Sequence, residues 1–331
     1  MPGSPRNLPA RDPFPTMATL IDARTRLTPN PVEEVIARAG GVILGKERQI
    51  RLAMACILAR GHLLIEDVPG VGKTTLSHAL ARLLGLDYQR IQFTSDILPA
   101  DVIGVSIFDR ENSSFRFHPG PIFAQIILAD EINRASPKAQ SALLEAMEEH
   151  QVTAEGETRP LPEPFFVIAT QNPLHQVGTF PLPESQLDRF LMRLNLGYPD
   201  AKAERELLRG EERREIIRHL EPAMTALQLL ELQKAVPAMP VSDALLDYVQ
   251  ALVAHTRHSP KYAQGLSPRA GLAVLRAAQA WAMMLGRRQV LPEDVQAVLA
   301  PVVGHRLHGT GESQKGGFDP AADLLASVAI P

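Results

Sequence analysis

Residues 62–84 read HLLIEDVPGVGKTTLSHALARLL, and this stretch decides the fold. Its first five residues, His62–Glu66, predict a short apolar strand. The last part predicts a helix, because leucines recur at helical spacing, at Leu76, Leu80, Leu83 and Leu84. The turn between the two ends in GVGKT. A strand that passes through a glycine-rich turn into a helix is the context in which such a turn binds phosphate.

The turn supplies the groups that a phosphate-binding loop needs. Gly70 and Gly72 let backbone amides wrap around phosphate oxygens, and the helix that starts near Lys73 points its amides at the same anion. Lys73 would neutralise the β- and γ-phosphates, and the Thr74 hydroxyl would ligate Mg²⁺. The other nucleotide-binding residues of the loop are predicted to be Pro69, Val71 and Thr75. The alternative is a structural strand–helix turn that contains a lysine by chance.

One position departs from the general phosphate-loop pattern, G-x-x-x-x-G-K-[ST]. Asp67 stands where that pattern has its first glycine. Aspartate enters the left-handed backbone region more readily than most residues, so it is expected to be tolerated there. Its carboxylate would then point away from the phosphates, and whether it is idle or accepts a bond from a loop amide stays open.

Two later strands are expected to end in polar residues that complete a hydrolytic site. The apolar run 123–129 predicts a strand that ends on Asp130 and Glu131. Asp130 can hold Mg²⁺ through water, and Glu131 can polarise the attacking water. The next strand, 164–170, leads to Asn172, which could lie between the two neighbouring strands and orient that water. The alternatives are an acidic turn after a buried strand and an Asn-Pro pair that only starts a turn.

The remaining pattern predicts an α/β fold followed by helices. Further strands at 88–93 and 193–196 alternate with helices, which favours a parallel sheet with crossover helices. A first helix starts at Pro31 and is expected to end at Gly40-Gly41. Ser136 is expected to cap the helix that begins at Pro137. Other helices are predicted at 46–60, 201–220, 225–235, 242–257, 268–285 and 292–300.

These elements divide the chain into four predicted parts. Residues 1–30, rich in proline, form an extended and poorly ordered leader, and Met17 is a plausible alternative start. Residues 31–199 form the nucleotide-binding α/β domain, and 200–308 form an all-α lid domain. Residues 309–331 form a partly ordered tail.

Composition limits the possible functions. The net charge of −3 and the aromatic content of 5% give no footprint for nucleic acid. The single cysteine, Cys56, cannot form an intramolecular disulfide or a multi-cysteine zinc site, and is predicted to be a buried small hydrophobe. No apolar run approaches the ~18 residues that a spanning helix needs. The first residues do not form a signal peptide, so a cytoplasmic location is expected.

The motifs, taken in order, resemble one family. GKTT, LADEINRASPKAQSALLEAMEE, FVIATQNP, LPESQLDRF and GLSPRA together resemble the MoxR-type AAA+ ATPases, which are relatives of magnesium-chelatase ATPase subunits. The resemblance covers about residues 32–306, and segment 128–149 and LPESQLDRF carry most of its specificity. Such proteins often have EDVPG before the loop, so Asp67 is no departure within the family.

The resemblance implies roles for three more residues. Arg189 would be the arginine finger that acts on ATP in the neighbouring subunit, with Arg193 as its rival. Arg269 would be the second sensor, acting either within its subunit or across an interface. Gly45 would lie beside the adenine. The alternatives are a surface salt bridge for Arg189, surface contacts for Arg269 and an ordinary turn for Gly45. Arg134 also matches a family position, without a chemical role that improves on a structural contact.

Two insertions fit the same family. Residues 101–121 predict a hairpin around 110–114, and residues 151–163 predict another with Glu155-Gly156 near its tip. In ring ATPases such hairpins usually face the pore or the client. The alternative is a pair of exposed hairpins without a contact role.

The resulting hypothesis is a ring ATPase, hexameric by family resemblance, that uses ATP and Mg²⁺ to remodel a protein. The resemblance implies a chaperone that assists maturation, often by metal or cofactor insertion, and a partner of the von Willebrand factor A type. No nucleic-acid partner and no membrane insertion are expected. Three alternatives stay open: a metallochelatase motor subunit, a DNA-acting motor, and a nucleotide switch without hydrolysis.

Overall fold

The computed structural model describes residues 30–172, 178–210, 212–310 and 318–330. Its strands are β1 (His62–Glu66), β2 (Tyr88–Gln92), β3 (Gly104–Asp109), β4 (Ser114–Pro119), β5 (Ile126–Asp130), β6 (Gln151–Ala154), β7 (Glu157–Pro160), β8 (Phe166–Gln171) and β9 (Phe190–Leu194). Its α-helices are α1 (Pro31–Val42), α2 (Glu47–Leu58), α3 (Lys73–Leu83), α4 (Pro99–Ile103), α5 (Pro137–Glu149), α6 (Glu184–Leu187), α7 (Ala201–Arg209), α8 (Arg213–Arg218), α9 (Ala226–Ala235), α10 (Asp243–His258), α11 (Pro268–Met284), α12 (Pro292–Val303) and α13 (Pro320–Ser327).

Five strands form one parallel sheet in the order β2-β5-β8-β1-β9. The three central strands are buried almost throughout, as expected when helices cover both faces. Side chains alternate between the two faces: Leu63 and Ile65 belong to one hydrophobic cluster, and Leu64 belongs to the other. The parallel α/β fold predicted from the motif order is therefore confirmed, and the carboxyl ends of β1, β5 and β8 share one edge.

Helices after β9 form a lid that packs back on the α/β part. Its longest helix, α11, contacts both α2 and α12, so one hydrophobic cluster runs from α1 into the lid. Ser267 caps α11 by accepting a hydrogen bond from the Ala270 amide at 3.1 Å. Ser136 caps α5 as predicted, with its Oγ 3.4 Å from the Ala139 nitrogen.

Both predicted hairpins are present, and they contact each other. β3 pairs with β4, and β6 pairs with β7, both antiparallel. The Glu155 carboxylate, at the tip of the second hairpin, accepts hydrogen bonds from the backbone amide of Ser106 at 3.1 Å and from its hydroxyl. The Arg159 guanidinium lies 3.9 Å from the centre of the Phe117 ring. The two insertions therefore form one surface unit.

Several predicted boundaries are wrong. Helix α1 continues through Gly40 and Gly41 to Val42, because burying Val42 offsets the roughly 1 kcal/mol that each helical glycine costs. The third strand starts at Ile126, since residues 121–123 form a 3₁₀ turn. The last strand spans 190–194, where Phe190, Met192 and Leu194 point into the core.

Residues 201–220 form two helices rather than one. Gly210 adopts extended backbone angles and ends α7. Few of the apolar side chains in these two helices are buried, and Leu208 in α7 is 85% exposed. The buried residues are Ala203 and Ile217.

The two ends of the chain differ from each other in what the structure describes. The leader 1–29 lies outside the described residues, whereas the tail contains helix α13, which the sequence pattern did not predict and which packs through Ala321 and Leu324. The predicted domain limits at 30, 199 and 308 stay predictions.

Cys56 is fully buried, which confirms its predicted place in the core. None of the described helices is both long and apolar enough to cross a membrane.

Candidate active site

The glycine-rich loop between β1 and α3 requires two glycines for conformational reasons. Gly70 has φ +86° and Gly72 has φ +96°, both in the left-handed region that L side chains rarely adopt. A Cβ at either position would meet no other atom of the chain within 4 Å. The requirement therefore comes from the backbone turn, and Gly72 directly precedes the first residue of α3.

Lys73 is buried at the end of the sheet, and its Nζ points toward the carboxyl ends of β1 and β8. Its Nζ donates to the Asp67 carbonyl at 2.6 Å and to Asn172 Oδ1 at 3.0 Å. Burial lowers the pKa of Lys73, and the negative charges of nearby Asp67, Asp130 and Glu131 oppose that shift. The lysine is thus a cation beside three carboxylates at the carboxyl edge of the sheet.

Thr170 fixes the backbone and side chain of the acidic pair after β5. Its hydroxyl donates to Asp130 Oδ1 at 2.6 Å and accepts from the Glu131 amide at 2.9 Å. Glu131 itself has φ +57°, a conformation that costs energy for a residue with a side chain. The second Asp130 oxygen accepts from the Arg90 guanidinium at 2.6 Å. Asp130 is therefore held from both sides and is 7% exposed.

Three side chains hold the Glu131 carboxylate. Asn172 donates to Oε1 at 3.3 Å, and Gln92 donates to Oε2 at 3.2 Å. Arg134 lies 3.0 Å from Oε2, which gives this residue a partner in the site. Since Asn172 also accepts from Lys73, it bridges the phosphate loop and the acidic pair, between β1 and β5, as the sequence predicts.

Asp67 has a role that the sequence reasoning did not find. It is absent from the residues with positive φ, so the left-handed explanation for this position is wrong. Its carboxylate instead accepts from the Val68 amide at 2.8 Å and from the Gly197 amide at 2.6 Å. The buried carboxylate thus ties the start of the phosphate loop to the segment that follows β9.

The other predicted binding residues lie around the loop. Thr74, in the first turn of α3, and Pro69 are exposed, whereas Val71 and Thr75 are half-buried. Gly45 has φ +70°, and a Cβ there would lie 3.2 Å from the Ala203 Cβ, so this turn packs against the start of α7. The hydroxyl of Thr74 and the carboxylate of Asp130 are the hard oxygen donors that Mg²⁺ prefers, so these residues fit that ion.

Arg189 and Arg269 meet each other but do not contact Lys73. Both approach Glu148 Oε2, Arg269 through Nη2 at 2.9 Å and Arg189 through Nε at 3.7 Å. Arg189 also donates to the Leu144 carbonyl. Leu144 and Glu148 belong to the second half of α5, the helix that follows the acidic pair.

This arginine cluster lies at the opposite edge of the sheet from the loop. A cavity of about 280 Å³ is lined by Arg189, Arg269, Glu148, and also by Gly61 and His62. His62 is the first residue of β1, whereas the phosphate loop follows the last. A five-residue strand spans roughly 13–17 Å, so the two arginines are remote from the lysine of their own chain.

Arg193, the rival candidate for the finger, has contacts of its own within the chain. Arg193 donates to Glu66 at 2.9 Å and to the Gly304 carbonyl at 2.7 Å, which joins β1 to the lid. Asp188 pairs with Arg306 at 2.6 Å rather than with Arg189. The salt bridge expected as the alternative for Arg189 does exist, but its partner is Glu148.

Sequence reasoning missed Thr170, Arg90, Gln92 and Glu148. Thr170 had a signal, because it is a hydroxyl residue at the end of an otherwise apolar strand. Arg90 and Gln92 alternate along β2, but only the pairing of β2 with β5 brings them to Asp130 and Glu131. Glu148 stands among several acidic residues of α5 and has no local signal.

Comparisons with known proteins agree with this arrangement. The model of the family described as "ATPase family associated with various cellular activities (AAA)" matches residues 62–192, and that of the AAA lid domain matches residues 254–326. The chain is 45% identical to the Bacillus subtilis protein YeaC, over 88% of this chain and 92% of that protein. It is 38% identical to the chaperone MoxR1 of Mycobacterium tuberculosis, over 91% of this chain and 82% of the relative.

A solved structure shares the whole architecture. A crystal structure of a candidate ATPase from Cytophaga hutchinsonii superimposes with a TM-score of 0.86 at 36% identity, covering 95% of this chain and 99% of that one. The similarity to MoxR1 extends over nearly all of the chain, and the matched AAA models include the phosphate loop and the lid. The chain therefore belongs to the MoxR-type AAA+ ATPases and is an ATP-hydrolysing enzyme with an α/β nucleotide-binding fold and a helical lid.

Proposed function

We propose that this ATPase works in the cytoplasm as a Mg²⁺-dependent ring, a hexamer on family grounds, that remodels a protein client. The loop amides and Lys73 would bind the triphosphate, and Thr74 and Asp130 would hold Mg²⁺, which neutralises charge on the phosphates. Glu131 would accept a proton from the attacking water, which Asn172 would orient. The two partners of Asn172, Lys73 and Glu131, support that placement.

One observation carries the proposal of a ring. Arg189 and Arg269 cluster at the amino edge of the sheet, whereas the phosphate loop lies at the carboxyl edge. An arginine finger stabilises charge that develops on the transferred phosphoryl group, so it must reach a triphosphate. Arg189 and Arg269 would therefore serve the nucleotide of an adjacent subunit, and head-to-tail repetition of that contact closes a ring.

The paired hairpins are the proposed client surface. They carry exposed apolar side chains, among them Phe108 at 49% and Phe115 at 75% exposure. The first hairpin directly follows α4, and the second directly follows α5, the helix that carries Glu148. Maturation of a protein complex by metal or cofactor insertion, with a von Willebrand factor A-type partner, is the specific role we propose on the strength of the relative named as a chaperone.

The first prediction tests the hydrolytic group. Glu131→Gln should retain ATP affinity within about twofold, because Gln keeps the size and shape of the side chain, but lower steady-state turnover by roughly 10²–10⁴-fold, the range for loss of a general base. Phosphate release and binding of a fluorescent ATP analogue, each with Mg²⁺ or with EDTA, measure the two quantities. Glu145→Gln, on the exposed side of α5, is the matched control. Unchanged turnover in Glu131→Gln would remove this residue from the role.

A further inference from the structure

Glu148 stands between two arginines whose proposed target is on another subunit. A single oxygen, Oε2, accepts from Arg269 at 2.9 Å and lies 3.7 Å from Arg189 Nε. The Arg269 hydrogen bond, with the charge of Arg189, holds the pKa of Glu148 below its usual value. Glu148 is therefore the shared counter-ion of the pair.

The two guanidinium groups need such a counter-ion. They approach the same carboxylate oxygen, and Arg60, Arg276 and Arg306 line the same cavity. Like charges at such separations repel, and long exposed side chains would then spread apart. The contacts with Glu148 leave most donors of each arginine available, since a guanidinium has five N–H groups in a fixed fork.

The carboxylate also belongs to a helix that is anchored at its other end. In the first half of α5, Gln140 donates to the carbonyls of Ile132 and Ala135 at 3.1 and 3.2 Å, in the turn directly after Glu131. In the second half, the Leu144 carbonyl and the Glu148 carboxylate hold the arginines. A 13-residue helix is about 20 Å long, so α5 extends from the acidic pair to the arginine cluster.

We propose that Glu148 is a positioning residue that holds Arg189 and Arg269 together at the subunit surface, ready for the triphosphate of the adjacent subunit. This inference rests on the proposed function, because it requires that the arginines act across an interface. When the phosphates arrive they take over the free donors, and the arginines need no costly rearrangement.

The test combines a substitution with mixed rings. Glu148→Gln should lower ATP turnover roughly tenfold. It should leave ATP affinity within about twofold, because the substitution affects hydrolysis at the nucleotide site of the adjacent subunit. Lys73→Ala subunits have an intact Glu148 and intact arginines. Mixing them into Glu148→Gln protein should therefore raise turnover per intact nucleotide site by about threefold or more. A residue needed only for folding would show no such rescue.

The control is a substitution of Glu149, the residue next to Glu148 in α5. Glu149→Gln removes the same charge from an exposed side chain that has no ion pair or hydrogen bond among the described residues, and turnover should stay within about twofold. The proposal fails if Glu148→Gln keeps or exceeds normal turnover. It also fails if Lys73→Ala subunits rescue Arg189→Ala rings but not Glu148→Gln rings. If Lys73→Ala subunits rescue neither Arg189→Ala nor Glu148→Gln rings, the arginines do not act on the nucleotide of an adjacent subunit. That result would overturn the proposed function and this inference together.

Discussion

At the scale of single residues, the phosphate loop was the most predictable part of the site. Gly70, Gly72 and Lys73 follow a local pattern, so their left-handed turn and the helix start could be predicted from spacing. Asp67 shows the limit of such reasoning. Its position in the motif suggested a backbone role, but its partner, the Gly197 amide, is 130 positions away along the chain. No local pattern predicts that contact.

The structure leads to a prediction for Asp67. In the buried carboxylate of Asp67, each oxygen accepts a hydrogen bond from one backbone amide. Asp67→Asn replaces one of these oxygens with an NH₂ group, so that two donors face each other. The free energy of unfolding should fall by about 1–3 kcal/mol, the cost of a buried unsatisfied group. Urea unfolding measures it, with the exposed Asp247→Asn as the control, expected to stay within about 0.5 kcal/mol. Equal stability of the two variants would show that the link to Gly197 contributes nothing.

ATP affinity is a separate matter for this residue. The carboxylate is directed toward Gly197 and Val68, so it does not occupy the place of the phosphates. We therefore expect Asp67→Gly to leave ATP affinity nearly unchanged.

At the scale of elements, the kind of each strand and helix was more predictable than its limits. Burial of both sheet faces produces apolar runs, and these identified the three central strands, β1, β5 and β8. Where a helix ends depends on the helix propensity of its last residues and on how much apolar surface they bury, and a sequence pattern does not show the burial. The pair Gly40-Gly41 suggested a stop, but burial of Val42 continues the helix for one more residue beyond it.

Glycines inside and outside a helix should respond oppositely to alanine. Gly41→Ala should raise the free energy of unfolding by about 0.5–1 kcal/mol, since Gly41 lies in α1, and a Cβ there has no neighbour within 4 Å. Gly45→Ala should lower it by at least about 1 kcal/mol, because φ is +70° and the Ala203 Cβ lies 3.2 Å from the new atom. Thermal and urea unfolding of both variants test the pair. A stabilising Gly45→Ala would show that this turn is not constrained.

At the scale of the whole molecule, chain topology decides which residues can act together. Parallel strands bring Lys73, Asp130, Glu131 and Asn172 to one edge of the sheet, an arrangement that follows from the motif order alone. The same order could not show that Arg189 and Arg269 share a cavity at the other edge, because Arg269 reaches Glu148 from the lid, 121 positions further along. Arg269 reaches Glu148 because the lid packs against α2 and the sheet. That packing is visible only in the folded chain.

The central claim is that each nucleotide site is completed by the arginines of a neighbour. Mixed rings of Arg189→Ala and Lys73→Ala subunits test it most directly, with ATP hydrolysis as the readout and each variant alone as the control. Each variant alone should lose about 10³-fold or more of the turnover, the range for loss of an arginine finger. In an equal mixture, about one quarter of head-to-tail interfaces join an intact nucleotide site to an intact Arg189, so a comparable fraction of activity should return. A mixture as inactive as its components would contradict the account.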